Sequence, residues 1–161
     1  MLMRYALLPI CEEGGLPLAL ELSGREAEME KQLDWVWEVL RSSAKLRFVL
    51  AARTPRAAEA LLARWSQPMG ERVFPILATV KCLANEAMGA AGTLAMPFAS
   101  GAAVLEQTIG DWVEARRAIS QALYDRYLPL VKMGWGVERE EIEADTANLL
   151  GGNWERFSAH T

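Results

Sequence analysis

The densest group of side chains that could do chemistry is a run of carboxylates near the end of the chain. Glu138, Glu141 and Asp145 would share one face of a helix, because residues three and four apart lie one above the other. Carboxylate oxygens in this arrangement can bind a divalent cation. Such runs are far more often solvated surfaces, and no cofactor motif accompanies this one. We therefore expect neither a metal nor a cofactor.

A second set of polar side chains lies along a long apolar pattern at residues 100–127. Arg116 interrupts the apolar stripe of this predicted helix, and a buried arginine requires a carboxylate partner or an anionic ligand. Of these two partners, a carboxylate in a structural ion pair is the commoner one. The functional alternative is a metal-free small-molecule site or enzyme along this helix, built from Ser100, Asp111, Glu114, Arg116 and Tyr124.

Charge is segregated along the chain. Residues 12–38 and 138–155 are acidic, whereas residues 41–72 carry seven basic side chains against two acidic ones. A basic segment of this kind is either paired within the fold or presented to an acidic partner. Under the second interpretation a protein partner would contact Trp35, Arg47, Arg53, Arg56 and Arg64.

The scarcity of histidine and cysteine excludes several chemistries. The single histidine, His160, is next to the last residue, where chains usually fray, so a histidine-built metal site or a catalytic triad is not expected. Cys11 and Cys82 match no zinc spacing and are interpreted as buried apolar residues, with a disulfide or a reactive thiol left open. The net charge of −4 argues against a dedicated nucleic-acid binder.

Residues 87–105 carry no charge and allow three interpretations. Their length would span a bilayer, but they are mostly small residues and Pro97 interrupts them, which argues against a membrane span. A phosphate cradle lacks the lysine that normally accompanies it. We therefore predict a buried packing seam between helices, which could also be an oligomer seam. No secretion signal is evident, so a cytoplasmic location is expected.

The elements that must position these residues begin with strands. Residues 16–22 alternate between leucine and other residues with a period of two, and residues 3–10 are also compatible with a strand, so an N-terminal β-hairpin is predicted over residues 1–22. Residues 45–52 alternate similarly and read as a third strand, with a helix as the open alternative.

Helices are predicted for most of the remaining chain. Ser23 is a candidate cap for the first, whose buried stripe is Met29, Leu33, Val36 and Leu40. Thr54 and Pro55 predict the start of the second helix. Pro129 is predicted to end the long helix that begins near residue 100, and Gly151–Gly152 to end the acidic helix that begins near residue 137. The predicted helices cover residues 23–43, 55–66, 72–88, 100–127 and 137–150. Residues 151–161 form a tail that either docks through Trp154 and Phe157 or frays.

The segment 130–154 resembles the ubiquitin-associated domain pattern through Met133-Gly134-Trp135 and the later Gly152-Asn153. The final helix of such a domain would have to fit in the last nine residues, which lack its apolar series. The function of that family is therefore not carried over.

Taken together, the sequence predicts a single α-rich α+β domain over residues 1–161. A β-hairpin would be followed by a helical body of four or five helices over residues 23–150, with an all-α bundle as the alternative. Six tryptophans, segregated charge and the absence of a strong catalytic motif favour a non-catalytic protein–protein interaction module, such as an accessory subunit, adaptor or inhibitor. Its partner would be another protein, and a homo-oligomer is a further expectation.

Overall fold

A three-stranded parallel sheet organises the first half of the chain. The structure is a computed structural model that describes residues 6–65, 70–77 and 105–159. Its strands are β1 (Leu18–Glu21), β2 (Phe48–Ala52) and β3 (Val73–Leu77), arranged in the order β1-β2-β3. Leu18 is in register with Phe48, and Phe48 is in register with Val73. The fold is therefore α-rich α+β, as the sequence predicts.

The predicted N-terminal hairpin is wrong. Residues Leu8–Glu13 form a short helix, α1, with Pro9 in its first turn, where the missing amide proton costs nothing. The alternating segment is a strand, β1, but it pairs in parallel with β2 and not with the residues before it. A parallel pair requires a crossover connection, and helix α2 (Glu26–Ser42) provides it.

Helices α2 and α3 (Pro55–Trp65) agree with the sequence pattern. The predicted stripe of α2 is buried throughout. Ser23 is not its N-cap, because the helix begins at Glu26 and the Ser23 hydroxyl oxygen accepts instead from the Arg25 amide at 3.2 Å. At α3 the Ala57 amide donates to the Thr54 hydroxyl oxygen at 3.2 Å, so Thr54 is the predicted cap.

The helix predicted from residue 72 is wrong over its first part, because Val73–Leu77 is strand β3. All of its residues except Ile76 are buried, and a strand covered on both faces shows a continuous apolar run that helical spacing also fits. Pro75 is tolerated because β3 pairs only with β2 among the described strands, so it lies at an edge of this sheet. Residues 78–88 of that prediction lie outside the described residues.

Side chains cover the sheet from both faces. Phe48 contacts Trp35 of α2 edge-to-face, with ring centroids 5.9 Å apart. Phe74 is in register with Val49, the next residue along β2, so its side chain points to the opposite face. There it contacts Trp154 and Phe157 at centroid distances of 5.4 and 5.2 Å. The sheet therefore separates α2 from the C-terminal helix.

The second half of the described chain is helical. It comprises α4 (Leu105–Lys132), α5 (Arg139–Ala147), a π-turn (Asn148–Gly152) and α6 (Asn153–Ala159). Pro129 does not end α4, which continues to Lys132. Gly151 does not follow α5 directly either. It interrupts the π-turn with a φ of +149°, a conformation that favours glycine. The C-terminal segment docks through both aromatic residues named for it.

The uncharged segment falls largely outside the described residues. Residues 87–104 belong to the part that is not described, so the predicted packing seam stays a prediction, and Cys82 lies in the same part. Cys11 is a half-buried free thiol that packs against the core. Among the described residues, no helix combines the length and apolar character needed to cross a membrane.

Candidate interaction site

Three of the four predicted partner-binding arginines are paired with acidic side chains of the same chain. Arg53 contacts Glu21 at 2.9 Å and Arg56 contacts Glu26 at 2.8 Å. Arg64 bridges two carboxylates of α2, with distances of 2.8 Å to Glu30 and 2.6 Å to Asp34. The segregated charge along the sequence thus becomes a set of contacts between the acidic and basic segments.

Of these three arginines, Arg64 has the least exposed side chain. Partial burial alone would lower the pKa of its guanidinium group, but the hydrogen bonds and charges of Asp34 and Glu30 outweigh burial and raise the pKa above its ordinary value. The positive charge is therefore compensated by two carboxylates of the same chain. Partner binding is not needed to explain this arginine.

Arg47 and Trp35 also have structural partners. Arg47 donates to the Phe157 carbonyl at 2.5 Å and to the Gly15 carbonyl at 2.9 Å, and its guanidinium lies 5.1 Å from the centroid of the Phe157 ring. Trp35 is half-buried against Phe48. This position fits a side chain that covers the core better than one that is presented to a partner.

The residues of the small-molecule alternative do not converge. Ser100 lies outside the described residues. Glu114, Arg116 and Tyr124 are exposed and Asp111 is half-buried, all on α4. At 100° per residue these four side chains point to different sides of the helix. The expectation that Arg116 is buried in the apolar stripe is wrong, because the buried face of α4 is formed instead by small and apolar residues centred on Ile119.

The exposed side of α4 carries large apolar side chains. Ile109, Val113, Tyr124 and Val131, called here the apolar row, are each at least 45% exposed. Their spacing places them within about 60° of one another around the helix. The buried residue Ile119 lies well away from this row on the helix circumference. Tyr127, which lies about five turns after Ile109 and so on the same side, packs against the core, so the apolar row borders the buried face of the helix.

The apolar surface continues past the end of α4. Met133 is 73% exposed and Trp135 is 66% exposed, and both belong to the connection between α4 and α5. Isolated exposed apolar residues are normal at protein surfaces, whereas a cluster of large ones marks an interaction surface. The exposed Ser120 falls on the same arc between Val113 and Tyr124, so the cluster is densest from Tyr124 to Trp135. The sequence analysis did not place these two residues in a site.

Trp135 borders an open groove of about 420 Å³, called here the C-terminal groove. The end of α4, the connection and α5 all contribute residues to its lining. Its lining residues are Arg126, Tyr127 and Leu130 from α4, Trp135 and Val137 from the connection, and Glu141, Ala144 and Asp145 from α5. The volume lies in the range of ligand-binding clefts.

A helix-ending motif fixes the position of Trp135. The Trp135 amide donates to the Leu130 carbonyl at 3.0 Å, and the Gly134 amide donates to the Val131 carbonyl at 3.0 Å. Gly134 between them has a φ of +84°. This hydrogen-bond pattern is a Schellman motif, which typically brings the residue after the glycine towards the last turn of the helix. Glycine directly after a helical pattern was the sequence signal that could have identified this position.

A hydrogen bond joins two of the residues that line the groove. The Tyr127 hydroxyl donates to the Asp145 carboxylate, and this bond joins α4 to α5. Burial, and then the bond to Asp145 and its charge, raise the pKa of Tyr127 from 10.0 to about 12. The hydroxyl is therefore a hydrogen-bond donor at neutral pH and is not poised as a base.

The other carboxylates of the candidate cation site cap a helix. Glu138 and Glu141 form a reciprocal capping box at the start of α5, in which the Glu141 side chain accepts from the Glu138 amide at 3.2 Å. Over the residues that the structure describes, no group of three or more histidine, cysteine, aspartate or glutamate side chains is arranged to hold a metal ion.

Comparison of the chain with protein-family models, curated proteins and solved structures gives no significant match.

Proposed function

We propose that this protein is a non-catalytic protein–protein interaction module that binds another protein through the apolar row, Met133 and Trp135. The observation that carries the proposal is the exposure of these six large apolar side chains along one helix and the connection that follows it. Trp135 is the expected anchor, because tryptophan is enriched among the residues that dominate binding energy. The proposal places the module in the cytoplasm.

The arginines paired within the fold support this choice of surface over the basic segment. Arg53, Arg56 and Arg64 already contact carboxylates of the chain, so an acidic partner would have to displace those contacts. Exposed apolar side chains require no such exchange, because their burial is favourable in itself. The described residues of the small-molecule alternative do not line the C-terminal groove, so the groove gives that alternative no support.

The proposal can be tested by selecting binders from a random peptide library displayed on phage against the intact protein. Selected peptides are then measured against Trp135→Ser and Met133→Ser, with Ile10→Ser as the matched control. Ile10 is 60% exposed and lies on α1, a different element. We expect Trp135→Ser to weaken binding at least about thirtyfold, equivalent to a hot-spot loss of about 2 kcal/mol, and Ile10→Ser to leave it unchanged.

Two outcomes would contradict the proposal. One is a selection that enriches no peptide, and the other is a set of peptides whose affinity does not depend on Trp135 or Met133. Sedimentation of the free protein gives an independent comparison. A dimer that Trp135→Ser dissociates would show that the surface binds a second copy of this chain instead of another protein.

A further inference from the structure

We infer that the C-terminal groove binds a lysine or arginine side chain of the partner, next to an apolar residue that contacts the exposed surface beside it. This inference rests on the proposed function and specifies the chemistry of the partner. It follows from three properties of the groove, which are its apolar lining, its aromatic edge and its negative charge.

The apolar lining suits the stem of a long side chain. Leu130, Val137 and Ala144 contribute it from α4, the connection and α5. Lysine and arginine bury their methylene stems along such surfaces while the charged end reaches polar groups. A short polar side chain would leave this part of the groove unfilled.

The aromatic edge favours a cation over a neutral group. The Trp135 ring borders the groove and is 66% exposed, so a ligand can reach it without rearrangement of the fold. Tryptophan has the strongest attraction for cations among the aromatic side chains, because its ring faces carry negative electrostatic potential. The Schellman motif at Gly134 fixes the backbone of Trp135, a residue that lines the groove.

The charge of the residues that line the groove favours a positively charged ligand. Glu141 and Asp145 contribute two carboxylates, against one positive charge from Arg126. Residues 138–145 as a whole carry five carboxylates and one arginine, Arg139, which already contacts Glu143 at 2.6 Å. Each carboxylate has about four acceptor sites, so Asp145 can accept from Tyr127 and from a second donor. A cationic side chain complements this surface, whereas an acidic one is repelled.

The test uses the intact protein and three short, end-blocked, fluorescently labelled peptides, measured by fluorescence anisotropy. Each has a central residue between two leucines, and this residue is lysine, norleucine or glutamate. We expect the lysine peptide to bind, the norleucine peptide to bind about fivefold more weakly, and the glutamate peptide to bind weaker still. Added salt should weaken the lysine peptide more than the norleucine peptide.

Matched variants of α5 locate the effect in the groove. Glu141→Gln and Asp145→Asn each remove one charge but keep an acceptor oxygen, so the capping box and the bond from Tyr127 can persist. Glu140→Gln is the control, because it removes the same charge from an exposed residue of the same helix that does not line the groove. We expect a loss of about fivefold for the two groove variants and less than about twofold for the control.

Three results would overturn the inference. They are equal binding of the norleucine and lysine peptides, equal effects of Glu140→Gln and Glu141→Gln, and no binding of the lysine peptide. The proposed function is judged separately. Library peptides that require Trp135 but contain no basic residue would leave the interaction surface standing and remove only its preference for a cation.

Discussion

Arg47 joins three segments of the chain that are far apart in the sequence. Its guanidinium binds the carbonyl of Gly15 before β1 and the carbonyl of Phe157 in α6, while its own backbone precedes β2. A charged donor near the end of a helix also complements the negative end of the helix dipole. Arginine can do this because its planar fork presents several donors at fixed angles.

We expect Arg47→Met to lower the free energy of unfolding by about 2 kcal/mol, because it removes two charge-assisted hydrogen bonds and leaves half-buried carbonyls without this donor. Arg56→Met is the matched control. The side chains of the Arg56–Glu26 pair are 78% and 69% exposed, and exposed ion pairs contribute no more than about 1 kcal/mol. Urea denaturation of both variants measures the difference. Equal losses would show that Arg47 is not the structural link described here.

Tyr127 gives a residue-scale prediction about pH. Its pKa is 10.0 in an unfolded chain and about 12 in the fold, so the unfolded state loses the proton first as the pH rises. The stabilisation is therefore fully present below pH 10 and is lost between pH 10 and about 12.

Tyr127→Phe should lower stability by about 1 kcal/mol below pH 10, and this difference from the wild type should shrink above it. Tyr124→Phe removes an exposed hydroxyl from the same helix and should change stability by less than about 0.5 kcal/mol. Urea denaturation at a series of pH values makes the comparison. A difference between wild type and Tyr127→Phe that does not change with pH would contradict the assigned hydrogen bond.

At the scale of elements, the junction between α4 and α5 depends on one backbone conformation. Gly134 has a φ of +84°, which only glycine adopts without strain, and its hydrogen bonds end α4 so that Trp135 borders the groove. Space does not impose glycine here, because a Cβ at this position would meet no atom within 4 Å. The backbone angle alone explains the residue.

Gly134→Ala should therefore destabilise the protein by about 1 kcal/mol and weaken peptide binding through Trp135. Gly110→Ala is the matched control, and it is expected to have the opposite effect on stability. Gly110 lies inside α4, where an added Cβ would also meet no atom within 4 Å, and alanine favours a helix by up to about 1 kcal/mol. Thermal unfolding should shift down for the first variant and up for the second. A shift in the same direction for both would contradict the role given to the helix end.

The accuracy of the sequence analysis differs between elements for physical reasons. Helices α2 and α3 could be predicted because an amphipathic stripe and the Thr54–Pro55 cap are local signals. Strand β3 could not, since a short strand buried on both faces lacks the period-two pattern that identifies a half-exposed strand. The pairing of β1 with β2 depends on the crossover through α2, a non-local choice that alternation alone does not determine.

At the scale of the whole molecule, the charge pattern has a structural explanation. The acidic segment before β2 and the basic residues that follow β2 are brought together by the parallel crossovers, which pair Glu21 with Arg53 and α2 with α3. The sequence predicted that this segregation could be internal, but it could not choose between internal pairing and a partner. Once these charges are paired, the surface that remains distinctive is apolar and lies on the second half of the chain.

The candidate site could likewise be predicted only in part from the sequence. The acidic helix could be predicted, although Gly151 does not end it, whereas the groove requires α4 and α5 to be brought together by Tyr127 and Asp145. Exposure also depends on tertiary packing. Trp35 and Trp135 are the same residue type, yet one packs on Phe48 and the other is 66% exposed.

The most direct test of the central claim, that Trp135 contacts a protein partner, is an NMR titration of the intact protein with a selected peptide. The chain has six tryptophans, so their indole N–H signals report six separate positions, and Trp135→Phe assigns the relevant one. We predict that the Trp135 signal shifts progressively to saturation while the Trp35 signal stays in place. A Trp135 signal that does not move while the peptide binds would contradict the account.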